Sequence, residues 1–363
     1  MPGVGAPAHA RSVTTALVLA VALAIGSGGC GLESSPRHTT TSPRDLGAIG
    51  GAGAVVPAPL IDAWGKAYRA RTGTTISYDL VGSGDGIAQV TSGVTDFGVS
   101  GVPLNGIEQA AATSKRTTVL EVPIARAAVA VVYTVPGIGP GLHLDAATLA
   151  QMFGGSITRW DAPAIRRLNP GVALPPLGVT VVHRAEASGA TATFTAFLSR
   201  GSRGWGRTVG AGKVVRWPTG IGVTAHHGVP HGIVSRPNTP DEGPARTVAA
   251  RPGAIGYVGV AAAQRTGVSS ASLPAGGRFL PPDASGAYPL VDTLNFLVFR
   301  DPCRAHKAPD LARRLKRWLD YVSGPGQGMA TAPAFASLPP DAAATARARI
   351  QALRCDGKPL PTN

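Results

Sequence analysis

The chain has 363 residues, 44% of them hydrophobic, which is long and apolar enough for two domains of ordinary size. Aromatics are few at 5%, and 48 Gly with 32 Pro call for many tight turns. A net charge of +14 admits nucleic acid, an anionic membrane or an anionic ligand; the absence of a basic stripe interleaved with aromatics, and of any nucleic-acid motif, excludes the first.

The N-terminus reads as a targeting segment. Arg11 precedes an apolar run from Ala16 to Ile25, then Gly26-Ser27-Gly28-Gly29-Cys30. The run is too short to span a bilayer and has the form of a secretory signal peptide over residues 1–29. Small residues before a lone Cys are similar to a bacterial lipoprotein cleavage site. That makes Cys30 the candidate lipidation site and the extracytoplasmic face of the bacterial cell membrane the expected location. Ser27 stands where that pattern has Leu, so cleavage elsewhere and release is the alternative. Residues 30–45, polar and rich in Ser, Thr and Pro, read as a flexible tether.

Leu46 to Ile49 is expected to be a strand, Gly50-Gly51-Ala52-Gly53 a turn, and Leu60, Ile61, Trp64 and Tyr68 the apolar face of a helix entered through Pro57 and Pro59. A strand over Thr75 to Leu80 leads into Val81-Gly82-Ser83-Gly84-Asp85-Gly86, with a helix beginning near Ile87. Asp96 to Ser100 is a strand, Asn105 caps a helix through Ala112, and Thr118–Val122 and Ala127–Tyr133 are two further strands. Asp145 caps the helix through Phe153, and Pro163–Leu168 is helical.

The stretch from Val179 to Leu198 carries the densest chemistry. An apolar run, Val179–Val182, turns through His183-Arg184-Ala185-Glu186-Ala187, and Ser188 opens a helix with Phe194, Phe197 and Leu198 on one face. The first N–H groups of a helix lack partners and lie at the positive end of its dipole, so they favour an anion. Arg184 adds a planar guanidinium, Glu186 could steady it, and Ser188 adds a hydroxyl. Three Gly/Ser turns before helices suggest an α/β fold with a ligand crevice at the strand carboxyl ends, though such turns also favour Gly and Ser for purely structural reasons.

Further along, Arg313-Arg314-Leu315-Lys316-Arg317 lies on an amphipathic helix whose buried face is Leu311, Leu315, Trp318 and Leu319, so the basic run reads as a solvated face. Cys303 and Cys355 remain after Cys30. In an exported chain a disulfide is expected, two buried free thiols being the alternative.

Catalytic sets are absent. His226, His227 and His231 lack a neighbouring carboxylate to complete a metal site. Ser188 and His183 lack the Gly-x-Ser-x-Gly elbow and orienting acid of a hydrolase. Glu121, Asp145 and Asp161 show no paired-carboxylate spacing. Binding is expected rather than chemistry, with no enzyme activity, cofactor or metal.

Taken together, GAGAVVPAP (51–59), VGSGDGIAQV (81–90), TDFGVSGVPL (95–104), LNPGVALP (168–175), VVHRAEASGATATFTAFL (181–198), VVRWPTGIG (214–222), PGAIGYV (252–258) and FASLP (335–339) resemble, in order, the PstS family. These are the phosphate-binding subunits of phosphate-specific ABC transporters. The resemblance implies an α/β, two-lobed periplasmic-binding-protein (Venus flytrap) fold, with mixed sheets and helices on both faces. Lobe one would comprise residues 46–126 plus 292–356, and lobe two residues 127–291, with the crossings near Ala125–Ala128 and Leu290–Thr293. It further implies a monomer that carries phosphate or a similar oxyanion to an ABC permease.

By the same resemblance the ligand-binding positions are Val55, Val56, Ser83, Gly101, Arg184, Ser188, Gly189 and Ala190, with Glu186 supporting Arg184. Val55 and Ala190 stand where the family has hydroxyl-bearing Thr. Gly101 stands where the family has an Asp that accepts a hydrogen bond from protonated phosphate and repels fully deprotonated sulfate. A missing hydrogen bond to a charged ligand costs roughly 1.5–3 kcal/mol. The alternative is therefore a degenerate paralogue that binds sulfate, a phosphate ester or nothing, and acts as a sensor or surface interaction protein. Gly101→Asp is expected to widen phosphate-over-sulfate selectivity.

Overall fold

The computed structural model describes residues 47–224 and 242–361. The signal peptide, Cys30, the tether, His226, His227 and His231 lie outside the described residues.

In chain order the elements are β1 (Ile49–Gly53), α1 (Ala58–Thr72), β2 (Ile76–Leu80), α2 (Ser83–Thr91), β3 (Phe97–Ser100), α3 (Gly106–Thr113) and β4 (Val119–Tyr133). There follow α4 (Ala146–Phe153), α5 (Pro163–Leu168), β5 (Thr180–Arg184), α6 (Gly189–Gly201), α7 (Arg203–Thr208), β6 (Ile221–Val223), α8 (Glu242–Ala249), β7 (Ala254–Gly259) and α9 (Val260–Thr266). The short strands β8 (Ser269–Ser270), β9 (Leu273–Ala275) and β10 (Arg278–Leu280) precede β11 (Val291–Phe299), α10 (Pro309–Ser323) and α11 (Pro340–Gln351).

The main sheet is mixed, in the order β2-β1-β3-β11-β4-β7-β5-β6. β1 runs parallel to β2 and β3, and β5 parallel to β6 and β7, so each end of the sheet is a parallel α/β unit. β11 and β4 are antiparallel insertions between them. From Val119 to Ala128, β4 pairs with β11; from Val129 to Tyr133 it pairs with β7. One strand thus passes from one half of the sheet to the other. Two separate strands were expected here, because Pro123 interrupts the apolar pattern. The chain continues because the register shifts there, Pro123 facing Asn295 and Ala125 facing Leu294, so Ile124 is the extra residue of a bulge.

A second departure lies at the start. The expected turn Gly50–Gly53 belongs to β1 itself. A Cβ at Gly51 would lie 2.1 Å from the Phe97 ring, and one at Gly53 would lie 2.2 Å from the Val99 carbonyl oxygen. Those glycines let β3 close on β1 with the aromatic in the gap. Likewise α2 begins at Ser83 rather than near Ile87, with Gly86 in its first turn, where a Cβ would meet Gly53 Cα at 2.3 Å.

The caps fall where the sequence puts them. Asn105 and Glu108 form a reciprocal capping box on α3, and Asp145 Oδ1 accepts from Thr148 N at 2.7 Å on α4. On α10, Leu315, Trp318 and Leu319 are buried and Trp318 packs edge-on against Tyr68 at 5.1 Å. Its basic face is less solvated than expected. Lys316 is buried with Nζ 2.8 Å from Asp320 Oδ2, and Arg314 pairs with Asp310. Cys303 and Cys355 form a disulfide, with Cα atoms 4.9 Å apart. Among the described residues no helix is long and apolar enough to cross a membrane.

Candidate functional site

Loops at the carboxyl ends of β1, β2, β3 and β5 converge. From β1 the chain passes Ala54, Val55 and Val56 before Pro57 starts α1, and Tyr78 Oη holds the Ala54 carbonyl at 2.8 Å. From β2 it turns at Gly82, whose φ of 88° suits glycine, into Ser83 at the first turn of α2. Gly101 follows β3. Arg184 ends β5, and Ser188 is the N-cap residue of α6, followed by Gly189 and Ala190. Except for Pro57 and Tyr78, these residues line one recess, together with Asp292 and Leu294 from β11. The recess is small: the centre of a water-sized group has about 10 Å³ in which to move.

The two sides meet closely. Gly189 N donates to Ser83 Oγ at 3.2 Å, and Gly84 N to the Ala187 carbonyl at 3.4 Å. A Cβ at Gly189 would come within 3.3 Å of Gly101 Cα. At the rim, Lys213 Nζ lies 2.5 Å from Glu108 Oε1, again linking one side to the other.

Arg184 is only 3% exposed. Its Nε donates to Glu186 Oε1 at 2.6 Å, and its Nη2 donates to the same oxygen. Its backbone N–H donates to Tyr257 Oη at 3.2 Å, and that phenol is 2.7 Å from Thr191 Oγ1. Burial pushes the Tyr257 phenol up to about 12, so it stays neutral and ties β5 to α6. Ser188 occupies the cap position, is buried, and makes no side-chain bond to its own helix. Its backbone N–H donates to the Lys213 carbonyl at 3.0 Å.

Apart from Arg184, the charged side chain among the described residues lining the recess is Asp292. Sequence reading missed it. Asp292 sits on β11 facing Ala127 of β4, is partly exposed, and accepts a hydrogen bond from Thr193 Oγ1 of α6. A Cβ on Gly101 would lie 3.2 Å from its Oδ2. The carboxylate therefore stands against the space that glycine leaves. Desolvation pushes the Asp292 carboxyl up to about 7, with the Thr193 hydrogen bond pulling the other way. The available signal was a lone acid in the apolar run Leu290–Phe299, at one of the expected crossings.

His183 stacks on Trp217 at 4.8 Å with Nδ1 3.0 Å from the Arg184 carbonyl, and burial lowers its pKa. It is thus placed as packing beside the recess. Among the described residues, one cluster has metal-ligand spacing, Cys303, Cys355 and Asp356, and its sulfurs are joined to each other.

A family model described as a PBP superfamily domain matches residues 38–324. The chain belongs to the PBP superfamily. Its relatives include the phosphate-binding protein PstS of Xylella fastidiosa (strain Temecula1), 37% identical over 238 residues, covering 65% of this chain and 60% of that protein. The chain thus matches about 60% of the length of that PstS relative. The PstS of Methanocaldococcus jannaschii is 29% identical over 365 residues, covering 90% of each. Among solved structures, a phosphate-binding protein from Stenotrophomonas maltophilia superposes with a TM-score of 0.59 at 18% identity, covering 83% of this chain and 93% of that one. That likeness supports the two-domain PBP fold.

Proposed function

We propose that this PBP-superfamily chain is an extracytoplasmic solute-binding protein that captures phosphate between its lobes and delivers it to an ABC permease. In this reading, residues 1–29 direct export and Cys30 carries a lipid anchor. The lobes correspond to residues 46–126 plus 292–356 and to residues 127–291. The observation that carries the reading is Arg184: a guanidinium only 3% exposed, clamped by Glu186, at the point where the first turns of α2 and α6 meet. Keeping such a charge out of water is costly without a compensating anion or carboxylate, and its surroundings supply backbone N–H groups and hydroxyls suited to a tetrahedral oxyanion. The names borne by its relatives support phosphate as that anion.

Isothermal titration of the mature chain with phosphate tests the reading. Saturable 1:1 binding is expected, and Arg184→Ala should weaken it at least about a hundredfold, because two or more charge-assisted hydrogen bonds are lost. Unaltered affinity in that variant would move the site elsewhere. Val55 and Ala190 bring no hydroxyl to the recess, which favours, as the second reading, a degenerate paralogue that binds sulfate, a phosphate ester or nothing and acts as a sensor or surface interaction protein; affinity for sulfate or a phosphate ester exceeding that for phosphate, or no anion binding at all, would establish it.

A further inference from the structure

Away from the recess lies an open cavity of about 430 Å³, lined by Arg116, Cys303, Arg304, His306 and Asp356. Arg116, His306 and Asp356 are also the non-glycine residues with left-handed backbone among the described residues, at φ of 59°, 63° and 51°. That conformation is costly for a residue with a side chain, and it persists where the surroundings impose it, as at ligand clamps. Here they do impose it. The Cys303–Cys355 disulfide closes one wall. Buried Asp301 accepts the backbone N–H groups of Arg304, Asp356 and Gly357 at 3.2, 3.0 and 2.7 Å. Glycine would relax all three positions, yet each places an ionisable side chain on the cavity wall.

The charge around this cavity is one-sided. Arg116, Arg300, Arg304 and Lys358 are exposed. The Arg354 backbone N–H donates to the Arg300 carbonyl at 2.8 Å, and Lys358 pairs with Cys355 in a short hairpin, so they share one surface. The neighbouring acids are engaged: Asp301 by backbone N–H groups, Asp96 by Lys307 at 3.0 Å, and Asp310 of α10 by Arg314. Asp356 offsets one cation, and its carboxylate lies within 4.8 Å of the disulfide sulfurs. This surface is at the opposite end of β1 and β3 from the recess. The recess follows their carboxyl ends. Asp96, just before β3, instead accepts from Gly50 N of β1 at 2.9 Å and from Lys307, the neighbour of His306. Asp301 N donates to Thr117 Oγ1, next to Arg116. The described chain enters β1 at this same end, so a chain held at Cys30, as proposed above, is held by it. Val94, 64% exposed and two residues before Asp96, adds an apolar contact. We propose that this basic end docks on an anionic lipid bilayer, with a headgroup phosphodiester seated in the cavity lined by Arg116 and Arg304. Guanidinium groups match phosphate oxygens in geometry as well as charge. Each cation near an anionic bilayer strengthens partitioning by about fivefold, and salt screens the attraction. The proposal does not depend on what the recess binds.

The test is co-sedimentation of the mature chain, prepared without acylation, with vesicles of phosphatidylcholine alone or with about 30% phosphatidylglycerol, at about 0.1 M salt. Partitioning onto the anionic vesicles should exceed that onto the neutral ones by about a hundredfold, and should fall at least about tenfold at about 0.5 M salt. The triple variant Arg116→Gln, Arg304→Gln, Lys358→Gln should lose at least about thirtyfold. The control triple Arg200→Gln, Arg203→Gln, Arg207→Gln removes the same charge from exposed positions of α6 and α7, and should change partitioning less than about threefold. Equal losses in the two variants would mean that net charge alone acts, and would overturn the site. So would wild-type binding no stronger to anionic than to neutral vesicles, a result that needs no variant to fold. Millimolar inorganic phosphate should leave vesicle binding unchanged; displacement by it would put the lipid phosphate in the recess and overturn the assignment. Tighter binding to a soluble poly(glycerol phosphate) than to the vesicles would make a polymer the partner and overturn the lipid assignment.

Discussion

Gly101 and Asp292 show how a side chain can be absent from one strand and present on another. From sequence, Gly101 looks like a lost carboxylate, and restoring it with Gly101→Asp looks like a gain. The structure adds a neighbour that the sequence did not show. A Cβ at Gly101 would already sit 3.2 Å from Asp292 Oδ2, so a second carboxylate would crowd and repel the first. Gly101→Asp alone should therefore weaken phosphate binding by about tenfold or more, and Gly101→Asp combined with Asp292→Ala should recover most of that loss. Titration of both variants checks this, and equal affinity for the single and double variants would show that the two positions do not share space. Arg184, Glu186 and Ser188 were legible because strand, turn and helix cap follow one another within a short stretch. Asp292 was not, since its neighbours Gly101 and Thr193 are far away in sequence, and only the pairing of β11 with β3 and β4 brings it in.

At the level of elements, caps and amphipathic faces were readable, because they depend on residues within one turn of each other. The errors came where a distant element decided the outcome. Gly51 and Gly53 read as a turn but are strand residues, chosen for what packs over them. Gly51→Ala should cost about 1–3 kcal/mol, the usual penalty for overfilling a packed position. Its Cβ would meet the Phe97 ring, which itself stacks on Tyr78 at 6.0 Å and contacts Phe296 at 4.9 Å. Urea denaturation would reveal the loss as a lower midpoint at unchanged slope; an unchanged midpoint would mean that β3 can shift outward freely. Pro123 misled in the opposite direction, since a bulge accommodates it and β4 runs on.

For the molecule as a whole, the recess exists only because two sides of the sheet are brought together. Ser83–Gly189 and Gly84–Ala187 make that junction from backbone and hydroxyl groups, and Lys213–Glu108 adds an ion pair at its rim. Both partners of that pair are partly exposed, so it should contribute no more than about 1 kcal/mol. Lys213→Ala should accordingly weaken anion binding by at most roughly fivefold, mainly through faster dissociation, while leaving the phosphate-to-sulfate ratio intact. Stopped-flow release of phosphate measures this directly, and a changed ratio would place Lys213 among the groups that touch the ion.

β4 and β11 have a mechanical meaning beyond pairing. Asp292 rides on β11 just where β4 transfers its partnership to β7, on the strands that both halves of the sheet share. Under the proposed division into lobes, a swing about these shared strands would move residues far from them more than Asp292.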